Sequence, residues 1–322
     1  MWLRVYGEHR SVRVSEKPKL EFPMTPRSPY SSRLDRIHVT RRSVHTGGSL
    51  TSYWEYGTQS DGPTVVMVHG FRGDHHGLEP VVAHLDGFHI LSPDLPGFGE
   101  SEPLGVTHDI DGYAGWLNQF VEAVDLPKPP VILGHSFGSI VVSAALATTP
   151  LRAPRVILVN PIAAPALAGP RGILTRLAVF YYRMGAWLPE PLGFALLRNR
   201  AIVRVMSVTM AKTKDKDLRR WIHNQHDLYF SAFDNRAVVL EAFRASVGND
   251  VSEFAADIIG HTLLIAADQD DITPVEAQHR LVRRFPDATL EILPGVGHLI
   301  HYEVPEQAAG LIRDFLAEEP TG

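Results

Sequence analysis

No cysteine occurs in the 322 residues. That excludes disulfides, a thiolate nucleophile and any zinc site built on sulfur, and it suits a reducing compartment, so a cytoplasmic location is expected. Long apolar runs are missing as well. The richest stretch, GILTRLAVFYYRMGAWLPEPLGFALL (172–197), is interrupted by Arg176, Arg183, Pro189, Glu190 and Pro191, which is too broken for an integral membrane segment. The opening residues, MWLRVYGEHRSVRVSEKPKL, carry arginines where a secretory signal needs unbroken apolar residues, so none is expected. Excess positive charge is also lacking. The 31 Lys and Arg against 36 Asp and Glu leave a net charge of −5, which argues against a nucleic-acid partner.

What is present suits a folded core, with 44% hydrophobic and 21% charged residues. Residues 1–35 are polar, basic and proline-bearing, and are expected to form a flexible arm. RIHVTRRSV and SLTSYWEYG flank a His45-Thr46-Gly47-Gly48 turn and read as two paired strands. Short aliphatic runs follow at 64–70, 89–97, 130–136, 155–161, 261–268 and 288–295, most of them ending in Gly, Pro, Asp or Asn. Helix-compatible segments separate them at 77–86, 111–125, 137–148, 275–285 and 305–318. Alternation of this kind predicts an α/β fold with a mostly parallel central sheet covered by helices on both faces. Between the strands at 155–161 and 261–268 no strand pattern appears. Residues 165–250 therefore read as a helical cap insertion in a core formed by 36–164 and 251–322.

Chemistry is concentrated at strand ends. VILGHSFGSIVVSAALA (131–147) places Ser136 where a buried strand must turn sharply into a helix, between Gly134 and Gly138. A Cβ at either glycine would meet crossing backbone, and the serine between them is pushed clear of the sheet. A serine needs a base to take its proton, and the base needs an orienting carboxylate. His298 in LEILPGVGHLIHYEVPE supplies the first, and Asp268, Asp270 or Asp271 in LLIAADQDDITP the second. The N–H groups of Phe71, in VVMVHGF, and of Phe137, opening the helix, are the candidate oxyanion hole. His69 is read as holding that loop, and Asp94 and Pro96-Gly97-Phe98-Gly99 as shaping a turn. His75, His76, His223, His226 and Asp227 are read as ordinary polar residues, since no compact ligand set accompanies them. No metal or other cofactor is expected.

The segments HGF (69–71), DLPGFGES (94–101), GHSFG (134–138), ADQDDITP (267–274) and GVGHLIHYEVPE (295–306) together resemble the α/β-hydrolase fold superfamily. They occur in that family's order over residues 60–318. The resemblance implies the α/β-hydrolase fold, Ser136 as nucleophile and His298 as base. It puts the acid four residues before a proline, which counts back from Pro274 to Asp270, with Asp271 and Asp268 as alternatives. It implies a serine esterase or lipase-like enzyme acting on a small-molecule ester with an apolar acyl or aromatic part. Val179, Phe180, Tyr181, Tyr182, Trp187 and Leu188 of the insertion are the expected pocket wall. Two other activities remain open. The C–C bond hydrolases of the family often carry Asn before the serine and Trp after the histidine, where this chain has His135 and Leu299. A non-hydrolytic, ligand-binding member would keep the fold without turnover.

Overall fold

A computed structural model describes residues 28–59, 62–149, 151–164 and 172–318. Eight strands form one sheet: β1 (Val39–Thr46), β2 (Ser49–Tyr56), β3 (Val65–Val68), β4 (Ile90–Pro93), β5 (Val131–His135), β6 (Arg155–Val159), β7 (His261–Ala267) and β8 (Ala288–Leu293). Their order is β1-β2-β4-β3-β5-β6-β7-β8. β1 pairs antiparallel with β2, and β2 with β4; every other pairing is parallel. This is the α/β-hydrolase fold that the sequence resembles.

The described helices are α1 (Ser31–Leu34), α2 (Glu79–Val82), α3 (Ile110–Ala123), α4 (Phe137–Thr148), α5 (Gly172–Trp187), α6 (Glu190–Leu197), α7 (Arg200–Met210) and α8 (Lys216–Tyr229). They continue with α9 (Arg236–Gly248), α10 (Val275–Val282), α11 (Ile300–Glu303) and α12 (Pro305–Ala317). The central strands are apolar on both sides because both faces are covered. Val66, Val68, Ile132 and Leu158 pack towards α3, α4 and α9. Their neighbours Val65, Met67, Leu133 and Val159 pack towards α2 and α12 on the other face.

The chain from α5 to α9 runs between β6 and β7, where the sequence placed a helical insertion. Residues 165–171 of that expected range and 1–27 of the expected arm lie outside the described residues. Residues 28–35 do not form a free arm. Tyr30 is half-buried, donates its hydroxyl to Tyr302 O (2.9 Å) and meets the edges of His84 and Trp221, because an aromatic ring gains more there than in water. Among the described residues no helix is long and apolar enough to cross a membrane.

Candidate active site

After β3 the chain adds β4 on one side and β5 on the other, so the loops following β3 and β5 open onto one crevice at the carboxyl edge of the sheet. β5 ends at His135 and α4 begins at Phe137, leaving Ser136 as the single connecting residue. Its backbone takes φ 53° and ψ −118°, a conformation costing about 1–3 kcal/mol for a side-chain-bearing residue. The turn is fixed by Ser136 N–H bonding to Val159 O at 3.0 Å and by Ser139 N–H bonding back to Ser136 O at 2.9 Å. A Cβ on Gly134 would lie 2.6 Å from Gly138 O, and one on Gly138 would lie 2.3 Å from Val68 O. Both glycines are therefore required by the approach of α4 to β3 and β5.

Ser136 Oγ lies 2.8 Å from His298 Nε2, and His298 Nδ1 lies 2.8 Å from Asp270 Oδ2. Of the three aspartates left open by the sequence, Asp270 is the one that reaches the histidine. Asp268 instead accepts the N–H of Gly295 at 2.7 Å, and Asp271 pairs with Lys212 Nζ at 2.5 Å. Asp270 Oδ1 accepts the N–H groups of Ile272 and Thr273, while Oδ2 also accepts the Thr273 hydroxyl and Asn160 Nδ2. Burial alone would raise this carboxyl; the His298 ring and these hydrogen bonds outweigh it and hold it down at about 2. An ionised Asp270 accepts from Nδ1–H, which leaves Nε2 to accept the serine proton.

Sequence reading missed Asn160, Thr273 and His301. Asn160 was visible as the end of a strand, but its contact with Asp270 depends on β6 lying beside β7, which no local pattern records. His301 lies edge-on to His135 with ring centroids 4.1 Å apart, and His135 lies 5.8 Å from His298. Burial, reinforced by neighbouring histidines, lowers His135 to about 3 and takes His301 well below the usual range, so both flank His298 as neutral rings.

The loop after β3 is fastened from below and from above. Leu95 N–H donates to His69 Nε2 at 2.8 Å, so the ring proton sits on Nδ1 and bonds Gly70 O at 2.8 Å. A Cβ on Gly70 would stand 3.2 Å from Ser136 Cβ, a measure of how closely this loop passes the serine. Among the described residues the N–H groups of Phe71 and Phe137 meet no hydrogen-bond acceptor, and the two rings pack edge-to-face at 6.3 Å. Arg72, at φ 61°, is buried and reaches up into the insertion. Its guanidinium donates to Phe230 O, Leu197 O and Tyr182 Oη, and lies over the rings of Phe230 and Phe233.

The insertion brings an aromatic wall to this loop. Tyr182 stacks on Phe243 at 3.8 Å, and both rings lie about 6 Å from Phe71. Val179 and Tyr181 are half-buried against the same core, and Leu188 is half-buried at the end of α5. Phe180 and Trp187, expected in the same wall, stand 62% and 78% exposed. The reason is helical geometry: successive residues turn by about 100°, so a run from 179 to 182 cannot share one face.

The histidines set aside as ordinary polar residues are built into networks. Asp74, His75 and His76 do form a compact group, with ligand-type atoms within 4.8 Å of one another. In the structure His75 Nδ1 and N–H bond Asp94, His76 Nδ1 and N–H bond Asp74, and His76 stacks on Tyr229 of α8. Asp94 also accepts Glu100 N–H, closing the turn expected at 94–101. His223 and His226 both bond Ser207 Oγ, and Asp227 pairs with Arg204.

The profile of the alpha/beta hydrolase fold family matches residues 63–305. Lipase 1 of Psychrobacter immobilis is 23% identical over 294 residues, covering 89% of this chain and 86% of its own. A thermophilic esterase from Thermogutta terrifontis superposes with a TM-score of 0.67 at 22% identity, covering 86% of this chain and 98% of its own. A bromoperoxidase from Bacillus anthracis superposes at 0.72 with 18% identity, covering 87% and 100% respectively. At such identities the superpositions speak to fold alone.

Proposed function

Since the chain belongs to the alpha/beta hydrolase fold family, we propose that it is a serine hydrolase cleaving small-molecule carboxylic esters with an apolar acyl or aromatic part. The observation that carries this reading is the continuous chain Ser136–His298–Asp270, with both hydrogen bonds at 2.8 Å. Ser136 Oγ attacks the acyl carbon as His298 Nε2 takes its proton. The carbonyl oxygen becomes an oxyanion, and the N–H groups of Phe71 and Phe137 stabilise it by a few kcal/mol each, about the cost of removing one such donor elsewhere. His298 then gives its proton to the leaving alcohol. Water enters, loses a proton to His298 and attacks the acyl-enzyme; the acyl–Oγ bond then breaks, His298 returns that proton to Ser136 Oγ, and the acid departs. Asp270 stays ionised throughout and steadies the imidazolium. Phe71, Tyr182 and Phe243 suit an apolar substrate part over the serine.

Turnover of p-nitrophenyl butyrate tests this. Wild-type protein hydrolyses it, and Ser136→Ala lowers kcat by about a thousandfold or more while keeping the wild-type circular dichroism spectrum. A chain that binds the ester without turnover belongs to the non-hydrolytic class instead.

A further inference from the structure

The first three helices of the insertion differ from the rest of the described surface in two independent ways. Leu177, Phe180 and Trp187 on α5, Leu192 on α6, and Val205 and Val208 on α7 are each more than half exposed. Elsewhere among the described residues exposed large apolar side chains occur singly, as at Val106 and Ile259, which is ordinary for a folded surface. On α5 the spacing 177, 180, 187 places the three side chains within about 80° of the helix circumference, on one stripe. Arg176 and Arg183 lie within about 40° of one edge of that stripe and are exposed. Charge sets the region apart as well. Residues 172–210 contain five arginines (176, 183, 198, 200 and 204) and one acid, Glu190, a balance of +4 in a chain whose total is −5. The remaining residues therefore carry −9.

We propose that this stripe of α5, with its arginine edge, docks on the surface of an anionic lipid bilayer. Exposed Trp, Phe and Leu enter the interfacial layer while the adjoining arginines meet lipid phosphates, the usual composition of a helix lying in a membrane surface. The −9 elsewhere orients the approach, because an acidic body is repelled by the surface that attracts the basic face. The two occupants this chain could itself supply are disfavoured by charge. A second copy in a twofold contact would set the arginine-rich face against itself. Residues 1–27, with six basic and three acidic side chains, are positive too. The inner side of the same helix carries Tyr182 to Phe71, so α5 joins the docked face to the crevice at Ser136.

The test is vesicle co-sedimentation of the Ser136→Ala chain, so that binding is read without consumption of lipid and without reliance on the hydrolase reading. Vesicles of phosphatidylcholine mixed with phosphatidylglycerol should retain the protein, and vesicles of phosphatidylcholine alone should retain about tenfold less or lower. Arg176→Glu with Arg183→Glu should remove the preference for the anionic vesicles, and Phe180→Ser with Trp187→Ser should weaken binding by about tenfold or more. Trp187 emission should shift to the blue on the mixed vesicles, and the shift should be lost in Trp187→Phe. Equal retention on both vesicle types, or binding unaffected by all four substitutions, overturns the proposal. So does a concentration-dependent dimer that protects Trp187 from quenching by acrylamide.

Discussion

Three aspartates stand within four residues after β7, and their carboxylates have three different partners: Gly295 N–H, His298 and Lys212. The sequence narrowed the acid to these three, since all follow a strand in the right order after Ser136. The proline spacing of the resembled family pointed to Asp270 among them, and the physical difference lies in which carboxylate meets the Thr273 hydroxyl, Asn160 and the imidazole across the sheet edge. The kinetic consequence is sharp. Asp270→Asn is expected to lower kcat on an ester by about 10³–10⁴-fold, because the amide no longer holds Nδ1–H or stabilises the imidazolium. Asp268→Asn and Asp271→Asn should stay within about tenfold of wild type, Asp271 making a partly exposed pair of small worth. Steady-state kcat for the three variants checks this, and a large loss at Asp271 alone would move the acid by one residue.

At the scale of elements, the strands and α4 were legible because aliphatic runs bounded by turn residues and a helix opened by the Gly134–Ser136–Gly138 turn leave little choice. The predicted span 137–148 coincides with α4. The short helices α1 and α11 were not legible, one turn being too brief for a hydrophobic period to appear. Neither was the inward face of α5: its run of aromatics looked like a wall, yet the helix sends Tyr182 inward and Phe180 outward. Arg72 gave no signal either, since nothing in the residues around it marks a buried arginine. It is a buried fastening between the loop after β3 and two helices of the insertion. Arg72→Met should destabilise the protein by about 2–4 kcal/mol, chiefly because the half-buried Phe230 O and the buried Leu197 O each lose a donor. Urea unfolding followed by tryptophan emission measures it; a loss below about 1 kcal/mol would mean that the insertion is held by other contacts.

For the whole molecule, buried histidines set the response to pH. Burial first, then neighbouring charge, lowers His135 and His226 to about 3, and His301 lies well below its usual value. These groups bind protons in the unfolded chain from about pH 6.5 downwards but resist them when folded, so stability falls with acid below that point. Asp270 adds to this loss from its ordinary value, 3.8, down to about 2. His76 works in the opposite sense. Burial opposes its charge, yet the hydrogen bond and charge of Asp74 outweigh burial and raise it to about 9. Its contribution is complete below about pH 6.5 and is lost as pH rises through about 9. Stability should therefore peak near pH 6.5, with a steep acid limb and a shallower alkaline one. Thermal melts across pH 4 to 10 test the shape, and His76→Gln should flatten the alkaline limb while leaving the acid limb in place. A flat profile between pH 4 and 6 would contradict the neutral, buried state of His135, His226 and His301.

The proposed hydrolysis requires Ser136 as a nucleophile activated by His298, and covalent labelling reads that directly. A fluorophosphonate incubated with the folded wild-type chain should add one phosphonyl group per molecule, located on Ser136 by peptide mass spectrometry. Labelling should be lost in Ser136→Ala and slowed by orders of magnitude in His298→Ala, while esterase activity falls in step with incorporation. An adduct on a different serine, or full esterase activity in a protein whose Ser136 is stoichiometrically modified, would contradict it.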